Sequence, residues 1–263
     1  TVFLVTPEGR CAAIHSLSIP TVKNGDSGVP LNKVAPLHGD DVLQGIFALP
    51  MDKESLPEHY VVTVTRQGMI KRSTISELPG ASAGSFTLVK VNDGDELFQV
   101  FLTQGKEEIL LTTANGMSIR FNEEEVRAMG LVAAGVNGIK LKEGDFVVGA
   151  SVISPKDEVT FITKKGNAKR VAASDFPAQG RYGQGVIGWK LPNDDQLVVQ
   201  LAGKLTDKGV CHFHKSASKV LTITNAVSRK RGASGQSVFT LKPGDEVIGF
   251  TPIVDMAAYW EGN

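Results

Sequence analysis

The sequence VTFITKKGNAKRVAASDFPAQGRYGQGVIGWK, residues 159–190, contains the unit from which most of the chain is built. It begins with apolar residues at Val159 and Phe161, turns at Lys164-Lys165-Gly166, and continues in a second alternating run. Two strand patterns around a glycine turn predict a β-hairpin. A glycine-rich basic loop follows, Gln179-Gly180-Arg181-Tyr182-Gly183-Gln184-Gly185, where glycine permits close approach of the backbone to a partner. A final apolar strand at residues 186–191 ends the unit.

Three landmarks of this unit recur about every fifty residues, which indicates a repeat architecture. The hairpin glycine recurs at Gly9, Gly68, Gly116 and Gly166. The glycine of the basic loop recurs at Gly28, Gly84, Gly135, Gly185 and Gly235, with separations of 56, 51, 50 and 50 residues. A turn before the last strand recurs at Gly39-Asp40, Gly94-Asp95, Gly144-Asp145, Asn193-Asp194 and Gly244-Asp245. We therefore predict five repeats, at residues 1–50, 59–102, 106–152, 157–201 and 208–250.

Each repeat has the pattern of about four short strands. Runs such as Ile109-Leu110-Leu111 are apolar on both faces, as in strands buried between neighbouring sheets. Residues 123–127 and 172–176, between the second and third strands, have room for one helical turn. Four-stranded units repeated around an axis form a propeller-like array, which limits exposed edges. The sequence thus predicts an all-β single domain over residues 1–263, with a tail at 251–263, carrying Tyr259 and Trp260, that packs against the first or last repeat.

Composition excludes several protein classes. No run of eighteen apolar residues exists, so no membrane-spanning segment is predicted. The first ten residues, TVFLVTPEGR, have the pattern of a strand and a turn, and not of a signal peptide. Cys11 and Cys211 are two hundred residues apart without metal-ligand spacing, so we expect both to be reduced strand residues in a cytosolic protein.

The net charge is zero, but the charges are unevenly distributed. Residues 1–158 hold 14 Lys and Arg against 20 Asp and Glu, whereas residues 159–232 hold 13 against 4. Residues 233–263 hold 1 against 4. Such asymmetry is typical of a polyanion-binding region beside an acidic remainder. The alternative is ordinary variation among solvated surfaces.

Signals of catalysis or metal binding are weak. His212 and His214 lie at strand spacing on one face, but no Cys, Asp or Glu at a supporting spacing completes a metal site. The recurring Asp turns repeat as architecture does, and Asp at a tight turn commonly bonds nearby backbone. No phosphate-binding Gly-Lys-Ser/Thr loop, GxSxG elbow or HExxH motif is present. We therefore predict no catalytic residue, no metal and no cofactor.

The basic residues follow the repeat. They concentrate on the first hairpin of each unit and on the loop before the third strand, so in an array of equivalent blades they would form a cationic track on one rim. Lys and Arg that neutralise successive phosphates bind duplex DNA without reading its sequence. The candidate DNA-binding residues are Arg66, Lys71, Arg72, Arg120, Lys164, Lys165, Lys169, Arg170, Arg181, Lys219, Arg229, Lys230 and Arg231. The alternative is a solvated strand face with Lys and Arg at hairpin tips.

The sequence resembles a known family, the C-terminal domain of the DNA gyrase A subunit and its topoisomerase IV counterpart. The resemblance rests on residues 61–78 (VVTVTRQGMIKRSTISEL), 93–100 (DGDELFQV), 164–191, and especially 109–150, with its RAMG…GV.GI.L spacing. It implies a β-pinwheel, a propeller-like disc of about five four-stranded blades here. It also implies a non-catalytic domain that wraps double-stranded DNA for strand passage. The implied partners are the catalytic core of the same A subunit and the ATPase B subunit, in the bacterial cytoplasm with the nucleoid and away from membranes.

One family motif differs in this chain. The gyrase-A box, Q-R-R-G-G-K-G in the first blade, marks supercoiling gyrases. Residues 22–28 of the first repeat have VKNGDSG instead, and the nearest match that the sequence offers is the degenerate loop Gln179, Gly180, Arg181, Tyr182, Gly183, Gln184 and Gly185. The first repeat aligns best with the family's second blade, so either the box-bearing blade lies outside this sequence or the parent is a five-bladed, topoisomerase-IV-like subunit.

Two rival functions remain open at this stage. A protein-interaction β-propeller would use the acidic first three repeats or the rim to hold a partner, without binding DNA. An enzyme with a pocket at the centre of the disc would need a cluster of acid, base or metal-binding groups, which the sequence does not show.

Overall fold

The structure, a computed structural model, describes residues 1–23, 27–53, 56, 58–254 and 260. Within them the chain is built from β-strands and short 3-10 helices, which confirms the all-β class. The strands are β1 Val2–Val5, β2 Arg10–Ile14, β3 Gly45–Ala48, β4 Tyr60–Thr65, β5 Met69–Thr74, β6 Ser85–Thr87, β7 Leu97–Thr103, β8 Glu108–Thr113, β9 Met117–Asn122, β10 Val136–Asn137, β11 Val147–Ile153, β12 Glu158–Thr163, β13 Asn167–Ala172, β14 Val186–Ile187, β15 Leu197–Gly203, β16 Lys208–Phe213, β17 Lys219–Thr222, β18 Val227–Ser228, β19 Gln236–Ser237 and β20 Val247–Pro252. The 3-10 helices are Ser16–Ser18, Leu31–Lys33, Ile75–Glu77, Glu123–Glu125, Ala173–Asp175 and Ile223–Asn225.

The chain divides into two compact units. The described part of the first unit is residues 1–105, 126–136 and Trp260. It contains the sheet β3-β1-β2-β6 and the sheet β10-β5-β4-β7, in which β10 begins at Val136. The described part of the second unit is residues 106–125 and 137–254, with the sheets β11-β8-β9-β14, β15-β12-β13-β18 and β17-β16-β20. The prediction of a single domain over residues 1–263 stays a prediction.

The outer strand of a sheet comes from the following repeat, an exchange that the sequence pattern did not predict. Strand β6 of the second repeat pairs with β2 of the first, and β14 of the fourth repeat pairs with β9 of the third. Both β18 and β19 of the fifth repeat pair with β13 of the fourth. The fifth sheet has three strands within the described residues. In the first repeat, the segment before β3 forms the 3-10 helix Leu31–Lys33 where later repeats form the exchanged strand.

The segment that follows an exchanged strand crosses over the hairpin glycine of the preceding repeat, as at Gly116. At Gly116, φ is +83°, a left-handed conformation that disfavours any side chain. Its carbonyl accepts hydrogen bonds from the backbone N–H groups of Gly188 at 2.8 Å and Trp189 at 3.1 Å. A Cβ at Gly116 would lie within 3.0 Å of the Trp189 carbonyl oxygen. Glycine is therefore required both by the turn and by the crossing.

The cores and turns follow the predicted pattern. Ile109, Leu110 and Leu111 are fully buried, and 3-10 turns occupy Glu123–Glu125 and Ala173–Asp175, as predicted. Trp260 packs into the core of the first unit and donates from Nε1 to the carbonyl of Ala48 at 3.1 Å. This confirms the predicted packing of the tail for Trp260, whereas Tyr259 lies outside the described residues. No helix in the described parts is long and apolar enough to cross a membrane.

Candidate nucleic-acid interface

The recurring Asp turns brace the hairpin tips, as their architecture predicts. Oδ1 of Asp145 accepts from the backbone N–H of Asn115, thirty residues earlier, and from that of Phe146, both at 3.0 Å. The same pair of bonds forms at Asp95, Asp195 and Asp245. In the fourth repeat the bonding residue is Asp195, so the Asn193-Asp194 landmark is one residue early. The spacing of fifty residues from Asp145 to Asp195 to Asp245 carries the correct register.

The cations at the hairpin tips are already paired with carboxylates. Nζ of Lys164 lies 3.0 Å from Oε2 of Glu246, and Lys165 pairs with Asp194. The bond from Lys165 holds the pKa of Asp194 below its ordinary value. In the first unit, Arg66 lies 3.1 Å from Glu96, and burial lowers its pKa. These predicted sites are accessible, but their charge is largely balanced within the chain.

Lys71 is buried and lies on the first unit's sheet. Its Nζ donates to the carbonyls of Leu88 at 2.6 Å, Leu131 at 2.8 Å and Gly130 at 3.3 Å. Burial lowers the pKa of Lys71 to about 8. The ammonium group thus binds backbone of the exchanged segments and is not placed for phosphate contact.

Lys169 holds the equivalent place on β13. It is fully buried, and its Nζ donates to the carbonyls of Ala233 at 3.0 Å, Lys230 at 3.2 Å and Arg231. Burial, and then repulsion from Arg231, lower its pKa to about 8. The side chain lies 5.1 Å from the Trp189 ring centroid. Like Lys71, Lys169 binds its strand to the backbone of a loop from the following repeat.

The next residue of each hairpin is an arginine that also bonds within the protein. Arg120 pairs with Glu108 at 3.1 Å and donates to the carbonyl of Phe176, which ends the 3-10 turn of the following repeat, at 3.0 Å. Arg170 pairs with Glu158 at 3.7 Å and donates to the carbonyl of Ala226. Arg72 is buried, stacks over the Tyr60 ring at 4.3 Å and donates to Gly105. Arg120 and Arg170 thus connect consecutive repeats, whereas Arg72 contacts its own repeat and the connector that follows it.

The degenerate box-like loop of the fourth repeat is tied to the third. The backbone N–H of Arg181 donates to Glu125 Oε2 at 2.6 Å, and its guanidinium donates to the carbonyls of Glu125, at 3.3 Å, and of Asn137. Tyr182 has φ +65° and its side chain is 49% exposed, and its N–H donates to Gly138 at 2.8 Å. Gly185 has φ +73°. The loop therefore presents a tyrosine outward, while its one cation faces the protein.

The fifth-repeat loop, residues 229–235 (RKRGASG), is different. Arg229 and Lys230 are exposed, and Arg231 is half-buried with one donor on the carbonyl of Ile187 at 3.1 Å. Within the described residues, none of these three cations forms an ion pair. Lys219, on the neighbouring β17, is also exposed, with its Nζ 5.9 Å from the Phe213 ring centroid. Of the predicted DNA-binding residues, these carry the least compensated charge.

The histidine pair shows no metal-site geometry. The ring of His212 is held by Ser218 Oγ at 3.0 Å and Thr251 Oγ1 at 2.8 Å. In the described parts of the chain no group of three His, Cys, Asp or Glu side chains could hold a metal ion. Cys11 and Cys211 are free and buried on strands β2 and β16, as expected.

The comparisons with known proteins agree with this architecture. A sequence model described as the DNA gyrase C-terminal domain, a beta-propeller, matches residues 59–104, 107–154, 157–199 and 219–253. The chain belongs to this family. The resemblance recognised in the sequence is thereby confirmed, and the all-β pinwheel class with it.

Similar proteins include DNA gyrase A subunits from three bacteria. That of Staphylococcus epidermidis is 35% identical over 138 residues, which is 52% of this chain and 15% of the relative. Those of Salmonella typhimurium and Halalkalibacterium halodurans are 34% and 31% identical over 139 residues, 53% of this chain and 16% of each relative. The chain thus spans a small part of the length of these relatives.

Two solved structures share the fold. The C-terminal domain of DNA topoisomerase IV matches with a TM-score of 0.86 at 24% identity, over 99% of this chain and 83% of that one. The DNA gyrase A C-terminal domain matches with a TM-score of 0.80 at 20% identity, over 96% and 82%. At these identities the likeness establishes the fold alone.

Hydrogen bonds of the structure show that residues 229–235 are equivalent to residues 179–185. The search of the sequence for the gyrase-A box did not identify residues 229–235. The N–H of Gln179 bonds to Arg120 O at 2.8 Å, and the N–H of Arg229 bonds to Arg170 O at 2.9 Å, so residues 179–185 and 229–235 are equivalent. In that register RKRGASG keeps basic residues at the second and third places of the box and glycine at the fourth and seventh. The signal was available in the sequence as the fifty-residue spacing. The same spacing marks Lys90, Lys140 and Lys190, all exposed and absent from the predicted set.

Proposed function

We propose that this chain is a non-catalytic DNA-binding domain of a type II topoisomerase A subunit. It binds double-stranded DNA without reading sequence, and bends the duplex for strand passage by the catalytic core of the same subunit and the ATPase B subunit. The proposed location is the bacterial cytoplasm, at the nucleoid. Family membership supports the coarse assignment, and the fifth-repeat loop supports the DNA contact.

The fifth-repeat loop carries the proposal because Arg229 and Lys230 are exposed and form no ion pair with any residue that the structure describes. Arg229 and Lys230 extend from a turn whose ends lie on β13 and whose Arg231 braces it against Ile187. Lys164 and Lys165 lie at the opposite end of β13, roughly 17 Å away at about 3.4 Å per residue. Duplex DNA carries one charge per about 1.7 Å of its axis when both strands are counted, so a duplex segment of that length carries about ten phosphates, some of which face the protein. We therefore propose Arg229, Lys230 and Lys219 as principal phosphate contacts, with Arg231, Lys164, Lys165 and Arg66 contributing less.

The remaining predicted cations support the site without touching DNA in this proposal. Lys71, Lys169, Arg72, Arg120, Arg170 and Arg181 all donate to groups of the protein itself. A phosphate would have to displace those bonds, so their contribution is structural, and among them Lys169 holds the loop that carries Arg229 and Lys230.

The test compares two pairs of neutralised cations. Arg229→Gln with Lys230→Gln removes two proposed contacts, whereas Lys204→Gln with Lys208→Gln removes the same charge from other exposed positions of the second unit. Each phosphate contact raises the association constant about eightfold at 0.1 M salt relative to 1 M, because the association constant scales as the salt concentration to the power −0.9 per contact. The loop variant should therefore bind duplex DNA about 60-fold more weakly, with a salt slope smaller by about 1.8.

The control variant should change affinity by less than about threefold. Equal losses in both variants would mean that net charge alone governs binding. Tight binding that survives the loop substitutions would overturn the proposed contacts. Failure of the unsubstituted chain to bind DNA at all would favour a protein-interaction β-propeller.

A further inference from the structure

We propose that Lys169 is a positioning residue for the DNA-contacting loop, an inference that rests on the proposed function. Its ammonium group pins the fifth-repeat loop to β13 with the loop's carbonyl oxygens inward, and thereby directs the side chains of Arg229 and Lys230 outward.

The three carbonyl oxygens that Lys169 contacts belong to one turn of the loop. The turn closes through the N–H of Ala233, which donates to Lys230 O at 3.1 Å. Nζ of Lys169 then takes the carbonyls of Lys230, Arg231 and Ala233 as acceptors. Three donors of one ammonium group thus meet three acceptors, which offsets the cost of burying its charge. With these carbonyls fixed inward, the loop has one orientation relative to the sheet.

A turn of the same kind in the second repeat shows that the turn forms without a lysine beneath it. The N–H of Ala83 donates to Gly80 O at 3.1 Å, although the sheet beneath has Ala12 at the place of Lys169. The turn therefore does not need the lysine in order to form. What Lys169 adds is the attachment of that turn to the strand below it.

The third repeat shows the site with the lysine replaced. Ile119 is paired across its hairpin as Lys169 is across its own, and it is fully buried. Over Ile119 the loop places Tyr182 at φ +65° and turns Arg181 toward protein carbonyls. Isoleucine is thus accommodated at this place in the fold. Arg181 donates to the carbonyl of Asn137 as its equivalent Arg231 donates to that of Ile187, so this position of the loop faces the protein over isoleucine and over lysine alike.

Lys71 provides a matched control within the same molecule. It is buried like Lys169 and binds the carbonyls of Gly130 and Leu131, in a turn closed by Ala133 N–H to Gly130 O at 3.1 Å. That turn, Gly130-Leu131-Val132-Ala133, has no cation. Loss of Lys71 should therefore cost stability without costing DNA contacts.

The experiment uses Lys169→Ile and Lys71→Ile in the full chain, with Trp260→Phe in both so that Trp189 is the remaining tryptophan. Trp189 lies 5.1 Å from Lys169 Nζ, and Gly235, at the end of the loop, packs against its ring. Its emission therefore reports whether the loop stays attached. Duplex affinity, the salt slope and urea unfolding followed by far-UV circular dichroism, which reports on both compact units, are measured for each variant.

We expect both variants to lose similar stability and only Lys169→Ile to lose DNA contacts. Loss of one to two ordered contacts corresponds to about 8- to 60-fold weaker binding at 0.1 M salt and a slope smaller by about 0.9 to 1.8. Its Trp189 emission should shift to the red, and that of Lys71→Ile should not. If Lys169→Ile does not fold, Lys169→Met, which keeps the chain length, takes its place.

Two results would overturn the inference and are distinguishable. If Lys169→Ile binds DNA as tightly as Lys71→Ile while Arg229→Gln with Lys230→Gln binds weakly, Lys169 has a structural role only and the proposed function stands. If the loop substitutions themselves have no effect, the proposed contacts fail and the positioning role fails with them.

Discussion

Substitution of Gly116 by alanine tests the crossing of consecutive repeats, on which the fold depends. A residue with a side chain at φ +83° costs about 1–2 kcal/mol. The added Cβ also collides with the Trp189 carbonyl, so the crossing segment must move. Movement breaks or strains the two bonds to Gly116 O, worth about 1 kcal/mol each. The expected total loss is about 3–4 kcal/mol.

Gly144→Ala is the matched control for this substitution. Gly144 lies in the same unit with φ +75°, but a Cβ there meets nothing within 4 Å. Only the conformational cost of about 1–2 kcal/mol should appear. The difference between the two variants, about 2 kcal/mol, isolates the close approach of the crossing segment.

Urea unfolding followed by Trp189 emission, in a Trp260→Phe background, measures that difference. With a slope of about 1–3 kcal/mol per molar urea, Gly116→Ala should unfold at about 0.7–2 M less urea than Gly144→Ala. The local reporter is needed because a chain of two compact units need not unfold in one step. Coincident midpoints would show that the crossing segment moves at no cost in stability, and that the close approach at Gly116 does not stabilise the fold.

Three further predictions concern the buried lysine Lys71, the turn carboxylate Asp145 and the ion pair of Lys164 with Glu246. Burial holds the pKa of folded Lys71 at about 8, below its usual 10.5, so the unfolded chain binds more protons between these values and stability rises with pH. Lys169, with a pKa of about 8 as well, adds a rise of its own, so the rise in unfolding free energy from pH 8 to 9.5 should be smaller by about 2 kcal/mol in Lys71→Met than in the unsubstituted chain. Asp145→Ala should cost about 1–3 kcal/mol in urea unfolding because two backbone N–H groups lose their acceptor, whereas Asp145→Asn, which keeps Oδ1, should cost less. Glu246→Gln should release Lys164 and raise duplex affinity by up to about eightfold at 0.1 M salt in a filter-binding titration, and an unchanged affinity would remove Lys164 from the interface.

The repeat itself could be predicted from the sequence because its constraints are local. A hairpin turn needs positive φ at one residue, and Gly68, Gly116 and Gly166 provide it at +79°, +83° and +79°. The Asp turns likewise bond to nearby backbone, so their spacing is visible in the chain. The exchange of strands between repeats was not visible, because a strand of two or three residues such as Val186–Ile187 has the same pattern whichever hairpin it joins.

The candidate site was harder to predict because basic residues of the same type have different surroundings. Lys164 and Lys169 are five residues apart on one hairpin, yet Lys164 is exposed and paired with Glu246, whereas Lys169 is fully buried. Strand alternation predicts opposite faces, but not that one face is covered by the backbone of the next repeat. The relation between residues 179–185 and 229–235 was present in the sequence as the fifty-residue spacing, and the bonds to Arg120 and Arg170 establish it.

Binding of the chain to linear duplexes of increasing length, across a salt series, tests whether the chain binds and bends DNA. We expect a steep salt slope that flattens by about 1.8 in Arg229→Gln with Lys230→Gln, and an affinity that rises until the duplex is long enough to bend over several blades. Length-independent weak binding would limit the function to a patch contact. Absence of binding at about 50 mM salt, where phosphate contacts are strongest, would contradict the DNA-binding account.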